Sequence, residues 1–343
     1  MRKVAVLMDD ISKIKTYKDT TFALMLAAQK RGYDLMIFGQ EDWSVRDGEV
    51  MAYVQTVSLI DREEDYYQVL NEEVINLATV DVVLQRKDPP FNLPFIYDSY
   101  MLELLEQQGV KVINPPSALR GLNEKFSISQ VPECTPPTLI TKSNEDILDF
   151  LREYKDIVLK PLDRMGGSGV FKLNLNDPNI NSILDTINPE NKETLMLQQF
   201  LPAISEGDKR ILIINGKAVE YGLLRHAKEG EFRANLAAGG FGTVEPLNER
   251  DKWLVSKIQP LLKREKLYFV GLDVIGGFIT EINITSPTCM REIERAKNID
   301  IAGRFWDGLE ELEQQELNQN NNAEDDKASL SASNIDWDLS ENS

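Results

Sequence analysis

Apolar residues along this 343-residue chain fall into short runs divided by polar turns, and their period changes from stretch to stretch. Lys3 to Met8 is an apolar run of the buried-strand type, and Thr20 to Lys30 has helical spacing with Asp19 as its N-cap. Leu35 to Phe38 predicts a second strand, and Asp47-Gly48 a hairpin turn between short strands. Val80 to Leu84 predicts a buried strand that ends on Gln85-Arg86-Lys87-Asp88-Pro89-Pro90. A helix over about Ile96 to Gln107 then leads into strand Lys111 to Ile113. Strands alternating with helices predict an open, mostly parallel α/β sheet. No Gly-x-Gly-x-x-Gly turn follows the first strand, which disfavours a dinucleotide site there.

Asn114-Pro115-Pro116 punctuates the end of this unit. Ser117 to Val131 predicts a helix, and Thr135-Pro136-Pro137 an extended link. The pattern then runs helix (Glu145 to Tyr154), strand (Ile157 to Lys160), glycine loop, strand (Val170 to Leu173), helix (Ile180 to Ile187) and strand (Leu195 to Gln199). A third region carries two hairpin signals. Asn215-Gly216 divides Lys209–Ile214 from Ala218–Leu224, and Gly276-Gly277 divides Phe269–Ile275 from Phe278–Ile284. Arg250 to Lys263 predicts a helix between them, and a last helix ends near Leu317. The remaining tail, rich in Asn, Ser and acids, is expected to be disordered and solvating.

Composition narrows the class. A hydrophobic content of 42% suffices for real cores, so global disorder is excluded. No apolar run approaches a membrane span, and the first is too short for a signal peptide, so a soluble cytoplasmic protein is expected. The two cysteines, Cys134 and Cys289, suggest neither a disulfide framework nor a cysteine-rich metal site. The net charge is −18. Residues 313 to 343 hold eight acids against Lys327, which still leaves −11 for the body. Nucleic acid and anionic membranes are therefore disfavoured as partners, and any anionic ligand must be held by local cations.

Three stretches carry candidate chemistry. In Thr280-Glu281-Ile282-Asn283-Ile284-Thr285-Ser286-Pro287-Thr288, alternation puts Glu281 and Asn283 on one strand face. Antiparallel pairing across Gly276-Gly277 brings Asp273 toward that face. Two carboxylates and an amide oxygen suit Mg²⁺ better than zinc, although a solvated sheet face would use the same residues. In Leu159-Lys160-Pro161-Leu162-Asp163-Arg164-Met165-Gly166-Gly167-Ser168-Gly169 a lysine ends a strand before a glycine loop. Such a loop is either a phosphate cradle or a plain turn; it is not a Walker A loop, which opens a helix. Lys125, in Asn123-Glu124-Lys125, is by itself either a ligand or a solvated helical lysine. The stretch from Arg225 to Gly242 has arginines and terminal glycines, the pattern of a mobile lid or of an ordinary surface loop. His226 is the only histidine, so histidine triads and histidine metal clusters are excluded.

Taken together, Asn123-Glu124-Lys125, Leu159 to Asp163 with its glycine loop, Gly207-Asp208-Lys209-Arg210, Asn235-Leu236-Ala237-Ala238-Gly239-Gly240 and Val270-Gly271-Leu272-Asp273 resemble the ATP-grasp fold. With Arg86 to Phe91 and Glu281 to Thr288 added, residues 1 to about 315 resemble the prokaryotic type of glutathione synthetase. The resemblance implies an N-terminal α/β substrate-binding domain (1–122, pre-ATP-grasp), a central ATP-grasp lid subdomain (123–202) and a C-terminal ATP-grasp subdomain with the metal site (203–315). The acidic tail (316–343) lies outside it.

The reaction implied is ATP-dependent ligation of γ-glutamylcysteine and glycine to glutathione through an acyl phosphate. The resemblance implies Mg²⁺, with Mn²⁺ able to substitute, and a homo-oligomer, specifically a tetramer. Lys125, Lys160, Gly166 and Gly167 would hold phosphates. Gln198, Gln199, Phe200 and Leu201 would border adenine, and Asp208 would meet the ribose. Asp273, Glu281 and Asn283 would hold the metal. Arg210, Arg225 and Arg233 would be catalytic, with Arg86, Ser286 and Thr288 at the substrates. Another ATP-grasp carboxylate–amine ligase or a silent ATP-binding scaffold are the alternatives. Arg164, His226-Ala227 and Phe241 depart from the expected pattern of the loop and lid.

Overall fold

In the computed structural model, which describes residues 1–88, 90–164, 167–227 and 241–333 with side chains to 319, the apolar runs assemble into three sheets. Gly166, Arg233 and most of the expected lid lie outside the described residues, as do residues 334–343.

The first sheet holds β1 (Lys3–Leu7), β2 (Asp34–Phe38), β3 (Trp43–Arg46), β4 (Glu49–Leu59), β5 (Tyr67–Asn76), β6 (Val82–Gln85) and β7 (Lys111–Ile113). Its order is β3-β4-β2-β1-β6-β7, with β5 also paired to β4. Strand β1 is apolar from Val4 to Leu7 because both of its faces are covered there. Val4 and Val6 pack into the core that contains α1 (Thr20–Lys30), whereas Ala5 and Leu7 pack with Leu102 and Leu105 of α2 (Leu93–Gln107). Asp19 caps α1, its carboxylate accepting from the Phe22 N–H at 2.7 Å.

Two expectations for this sheet need correction. It is mixed rather than mostly parallel, because β4 pairs antiparallel with β2, β3 and β5. The strands around Asp47-Gly48 are not both short, since β4 runs eleven residues. Its partner β5 escapes a reading by period because it is largely exposed and carries Glu72 and Glu73 among its apolar residues.

The second sheet, ordered β10-β9-β11-β8, comprises β8 (Thr138–Thr141), β9 (Asp156–Pro161), β10 (Phe171–Asn174) and β11 (Leu195–Gln199). Ile157, Leu159, Leu195 and Leu197 share a core with Ile147 and Leu151 of α4 (Asn144–Tyr154) and Leu184 of α5 (Ile180–Ile187). Alternation therefore turns Val158, Lys160 and Gln198 to the opposite face.

The third sheet is antiparallel, in the order β14-β13-β12-β15-β16. It contains β12 (Asp208–Ile214), β13 (Lys217–His226), β14 (Phe241–Pro246), β15 (Phe269–Ile275) and β16 (Phe278–Asn283). The two ends of the expected lid are thus strand, and Arg225 and Phe241 both lie in the ladder.

The helix predicted over Ser117 to Val131 is broken. Helix α3 spans Pro116–Gly121, and a 3-10 turn resumes at Phe126–Gln130. In the gap, the Asn123 side chain accepts from the Lys125 and Phe126 N–H groups. Glu124 meanwhile accepts from backbone N–H groups beyond β16, so tertiary hydrogen bonds override local helix propensity. Beyond α6 (Glu249–Arg264) and α7 (Met290–Lys297), α8 runs Ile301–Ser333, well past the expected end at Leu317 and into the tail expected to be disordered. No proline or glycine follows Gly308 in that helix to stop it.

Asn114 joins the first sheet to the third. Its amide nitrogen donates to the Phe269 and Ile284 carbonyls, both at 2.7 Å. Its oxygen accepts from the Tyr268 and Phe269 N–H groups at 2.8 and 2.9 Å. All four groups bonded to it are backbone, and Asn114 is buried. Asn114→Ala strands these partners without water, so the urea unfolding midpoint should drop by the equivalent of about 3 kcal/mol or more. A loss below about 1 kcal/mol would show that the junction does not depend on this amide.

Candidate active site

The β15–β16 hairpin turns on Gly276 and Gly277, whose φ values of +55° and +79° suit glycine. Its register sets Asp273 opposite Glu281 and Gly271 opposite Asn283, so the three polar side chains share one face. A bulge between Asp273 and Val274 locally shifts the pairing.

Asp273 is not a solvated surface acid. It is buried, and its carboxylate accepts from Arg210 Nε at 2.6 Å and Nη2 at 3.1 Å, with Arg225 Nη2 at 2.9 Å. Arg225 also holds the Asp208 carboxylate at 2.6 Å. Burial would push the Asp273 carboxyl up, but the two guanidinium groups outweigh it and hold the group well below the usual carboxylate range. Glu281 Oε1 lies 3.1 Å from Lys125 Nζ. The Asn283 amide donates to the Gly271 carbonyl at 3.2 Å, which leaves its oxygen as an acceptor.

Two carboxylates and one amide oxygen are a donor set that fits a hard divalent cation. Among the described residues no three His, Cys, Asp or Glu side chains converge, so such a cation would take its remaining ligands from a bound anion or water.

A cavity of about 600 Å³ extends from this face. The second sheet contributes Val158, Lys160 and Gln198, with Gln199, Phe200 and Leu201 after them. Lys160 donates to the Gln198 side-chain oxygen at 2.6 Å. Burial pulls the Lys160 ammonium below its ordinary range; Glu281 opposes this and Lys125 adds to it. Lys125 is buried rather than solvated, and bonds the Arg164 carbonyl besides Glu281. Gly167 belongs to the wall as well, with φ +77°.

Asp208 borders the same space, and its Oδ1 is buried without a hydrogen-bond partner among the described residues. Burial pushes this carboxyl up to about 6 against the pull of Arg225. Ser286 and Thr288 line the cavity from the turn after β16.

Arg86 stands apart from the other expected residues. It is absent from the cavity wall and buried, donating to the Thr21 hydroxyl and the Pro287 carbonyl, both at 3.0 Å. Burial lowers it to about 10, with Asp19 and Asp88 opposing. Its direct role here is to brace the turn that carries Ser286 and Thr288.

The sequence reading missed the contribution of the N-terminal domain to this wall, chiefly Asp9, Asp10, Lys18, Asp19 and Asp88. The available signal was position, because ligands of open α/β sheets gather beyond the carboxyl ends of the strands, and Asp9-Asp10 directly follow β1. Cys289 and Glu292 were missed too. The site thus assembles cations, oxygen donors for a metal, and a wall drawn from the second and third sheets and from the connections that follow the strands of the first. Those are the requirements for holding a polyphosphate beside a second anion.

Comparison with known proteins agrees with this geometry. The family model for the prokaryotic glutathione synthetase N-terminal domain matches residues 2–120, and that for its ATP-grasp domain matches residues 124–298. Glutathione synthetase of Vibrio parahaemolyticus is 44% identical over 310 residues, spanning 90% of this chain and 98% of that protein. Its namesake from Pseudomonas putida is 43% identical over 308 residues, spanning 90% and 97%. Among solved structures, the D-cycloserine synthetase DcsG aligns with TM-score 0.64 at 14% identity, over 90% of this chain and 99% of that one. The ATP-grasp ligase PsnB, solved with its minimal precursor, aligns with TM-score 0.59 at 19% identity over 90% and 98%. The structural matches, at such low identity, establish the ATP-grasp fold; the sequence matches establish more, and the chain belongs to the prokaryotic glutathione synthetase family.

Proposed function

We propose that this chain is an ATP-dependent ligase of glutathione synthesis whose cavity activates the cysteinyl carboxylate of γ-glutamylcysteine as an acyl phosphate for attack by glycine. The observation that carries the residue assignments is that Lys125, Lys160, Asp208, Arg210, Asp273 and Glu281 all line one cavity. A carboxylate alone is a poor acyl donor, because its leaving group would be an oxide ion. Transfer of the γ-phosphoryl group to a carboxylate oxygen releases ADP and provides phosphate as the leaving group instead.

Each group then has a role suited to its surroundings. Lys125 and Lys160, both anchored, supply charge to the phosphates, and Gly167 allows close approach of backbone. The 198–201 edge borders adenine. The unpartnered Asp208 oxygen accepts from a ribose hydroxyl, which would satisfy a buried group that otherwise costs stability. Arg210 and Arg225 each spend Nε and Nη2 on Asp208 or Asp273 and keep Nη1 for the transferring phosphoryl and the acyl phosphate. Ser286 and Thr288 lie beside the substrates, and Arg86 positions them from behind.

Asp273, Glu281 and Asn283 would hold Mg²⁺, for which Mn²⁺ can substitute; when bound, the ion neutralises charge on the phosphate oxygens. Arg233 belongs to this reading as a further cation from the expected lid, on family resemblance alone. So does assembly as a tetramer. A cytoplasmic setting belongs to this reading on family resemblance as well; among the described residues no helix is long and apolar enough to cross a membrane. Retention of Asp273, Glu281, Asn283 and Arg210 argues against a silent scaffold.

The direct test is phosphate release from Mg·ATP with γ-glutamylcysteine, with and without glycine, with mass analysis of the product. Release that depends on glycine and yields glutathione supports the reading; ATP binding without release would return weight to a scaffold or another acceptor. Glu281→Gln should lower kcat by about a hundredfold or more and raise the Mg²⁺ concentration required, with far-UV circular dichroism unchanged. Turnover near wild type in that variant would remove Glu281 from the metal set.

The position of the Asp208 carboxyl, at about 6, gives a separate expectation. As pH falls through that value the group gains a proton and stops being a charged acceptor. KM for ATP should therefore rise between neutrality and about pH 5 in the wild type. Asp208→Asn should bind ATP more weakly at neutral pH and change less with acidification. Protonation of the nucleotide itself affects both proteins and cancels in their ratio; a ratio independent of pH would exclude Asp208 from the ATP contact.

A further inference from the structure

Glu292, in the first turn of α7, is the one acid of the cavity wall outside the Asp208–Asp273–Glu281 set that presents a buried carboxylate oxygen with no hydrogen-bond partner among the described residues. It also lines a second, adjoining cavity of about 280 Å³, together with Tyr17, Lys18 and Phe241. An ionised oxygen taken out of water without a donor costs several kcal/mol. The surrounding cations do not supply that donor. Arg210 is committed to Asp273, and Arg295, one turn along the same helix, donates to the Tyr17 carbonyl at 2.7 Å. Lys18, in the turn before α1, lines both cavities and makes no ion pair among the described residues. The remaining titratable neighbour, Cys289, is buried, and burial pushes its thiol up.

An uncommitted carboxylate and an uncommitted ammonium on one wall complement a ligand that carries both charges in reverse, which is an α-amino acid zwitterion. The proposed reaction uses two such ends, the glycine and the γ-glutamyl end of the other substrate. Arg210 decides between them. It lines the same cavity as Glu292 while it grips Asp273 at the phosphoryl end. The γ-glutamyl end lies several bonds from the reacting carbon, whereas the glycine nitrogen must reach it.

Resting on the ligase reading above, we propose that Glu292 binds the ammonium group of glycine, with Lys18 facing the glycine carboxylate, and accepts the first proton that glycine loses. The nitrogen lone pair then forms the C–N bond at the acyl carbon, and the C–O bond to phosphate breaks. The second nitrogen proton leaves with the departing phosphate as HPO₄²⁻, and the proton on Glu292 passes to solvent. Burial pushes the Glu292 carboxyl above its ordinary range, against its own backbone N–H and the pull of Lys18, Arg295 and Arg210, which is the direction a proton acceptor needs.

The test compares two nucleophiles on the full-length protein with Mg·ATP and γ-glutamylcysteine. Hydroxylamine is already neutral at the assay pH and needs no base to attack an acyl phosphate. Glu292→Gln should lower glycine-dependent turnover by about a hundredfold, yet leave hydroxamate formation and KM for γ-glutamylcysteine within about twofold of wild type. The acid limb of the glycine pH profile should vanish as well. Glu292→Asp keeps a carboxylate and should retain that limb, with glycine turnover reduced more than hydroxamate formation. Equal losses with both nucleophiles, or a raised KM for γ-glutamylcysteine alone, would overturn the assignment. A wild-type protein that forms neither hydroxamate nor ADP would instead overturn the ligase reading beneath it.

Discussion

Two aspartates and two arginines share charge inside the third sheet, and this buried network constrains the sheet around it. Asp208 and Arg210 sit two residues apart on β12 and so project from one face. The ladder places Asp208 opposite Arg225 on one side and Arg210 opposite Asp273 on the other. A one-residue slip of either neighbour would turn its charge to the wrong face, and removing one member would leave an uncompensated buried ion at a cost of several kcal/mol. The backbone must make room as well. A Cβ at Gly271 would stand 3.0 Å from Arg210 Cδ and 3.1 Å from Pro287 Cβ, so any larger residue there would have to push the arginine or the proline aside by a few tenths of an ångström.

The network explains why part of the site was legible in the sequence and part was not. A face carrying Glu281 and Asn283 follows from strand alternation, and two glycines mark the turn that brings Asp273 across. Both signals are local. That Asp273 is held by two arginines depends on β12 lying between β13 and β15, which no period along the chain records. Lys125 shows the reverse problem. Its neighbourhood has helical spacing, but Glu124 finds better partners in a distant strand, so the helix opens and the lysine enters the cavity. Arg86 was legible as an arginine at the end of a strand, the position where ligands gather, yet it turns inward to Thr21 and the Pro287 carbonyl. Strand β5 and the extension of α8 were hidden for a simpler reason: β5 is polar on its exposed side and the sequence after Leu317 is polar almost throughout, so hydrophobic period gives little signal.

One tripeptide joins the parts of the cavity that must keep register with one another. Asn123 donates to the Leu162 carbonyl at 2.8 Å, at the start of the glycine loop. Glu124 accepts from the Ile284 and Thr285 N–H groups at 2.7 and 2.9 Å, and its own carbonyl accepts from Ile282 N–H at 2.9 Å. Lys125 reaches both the Arg164 carbonyl and Glu281. The glycine loop, strand β16 and the cavity-lining lysine are thereby tied to three consecutive residues. Glu124 is itself buried near Glu281, and burial followed by that repulsion raises its carboxyl, so its three donors on one oxygen are what keep it useful as an anchor. Together with Asn114, it fixes the end of β16 from two directions.

The charge of the whole molecule makes this local order necessary. At −18 the chain repels anions at long range, yet an ATP-dependent ligase must hold a nucleoside triphosphate and a carboxylate together. Among the described residues the wall carries eight acidic and eight basic side chains, so it is balanced where the rest of the chain is not. Affinity for an anion at such a site cannot come from net field. It has to come from short, directed contacts whose donors are already oriented, since a flexible lysine in an acidic molecule would pair with the nearest carboxylate instead. Anchoring Lys125, Lys160, Arg210 and Arg225 each to a specific oxygen prevents that collapse and leaves their remaining donors aimed into the cavity. The same acids that oppose an incoming anion are thus what hold the site's cations in place.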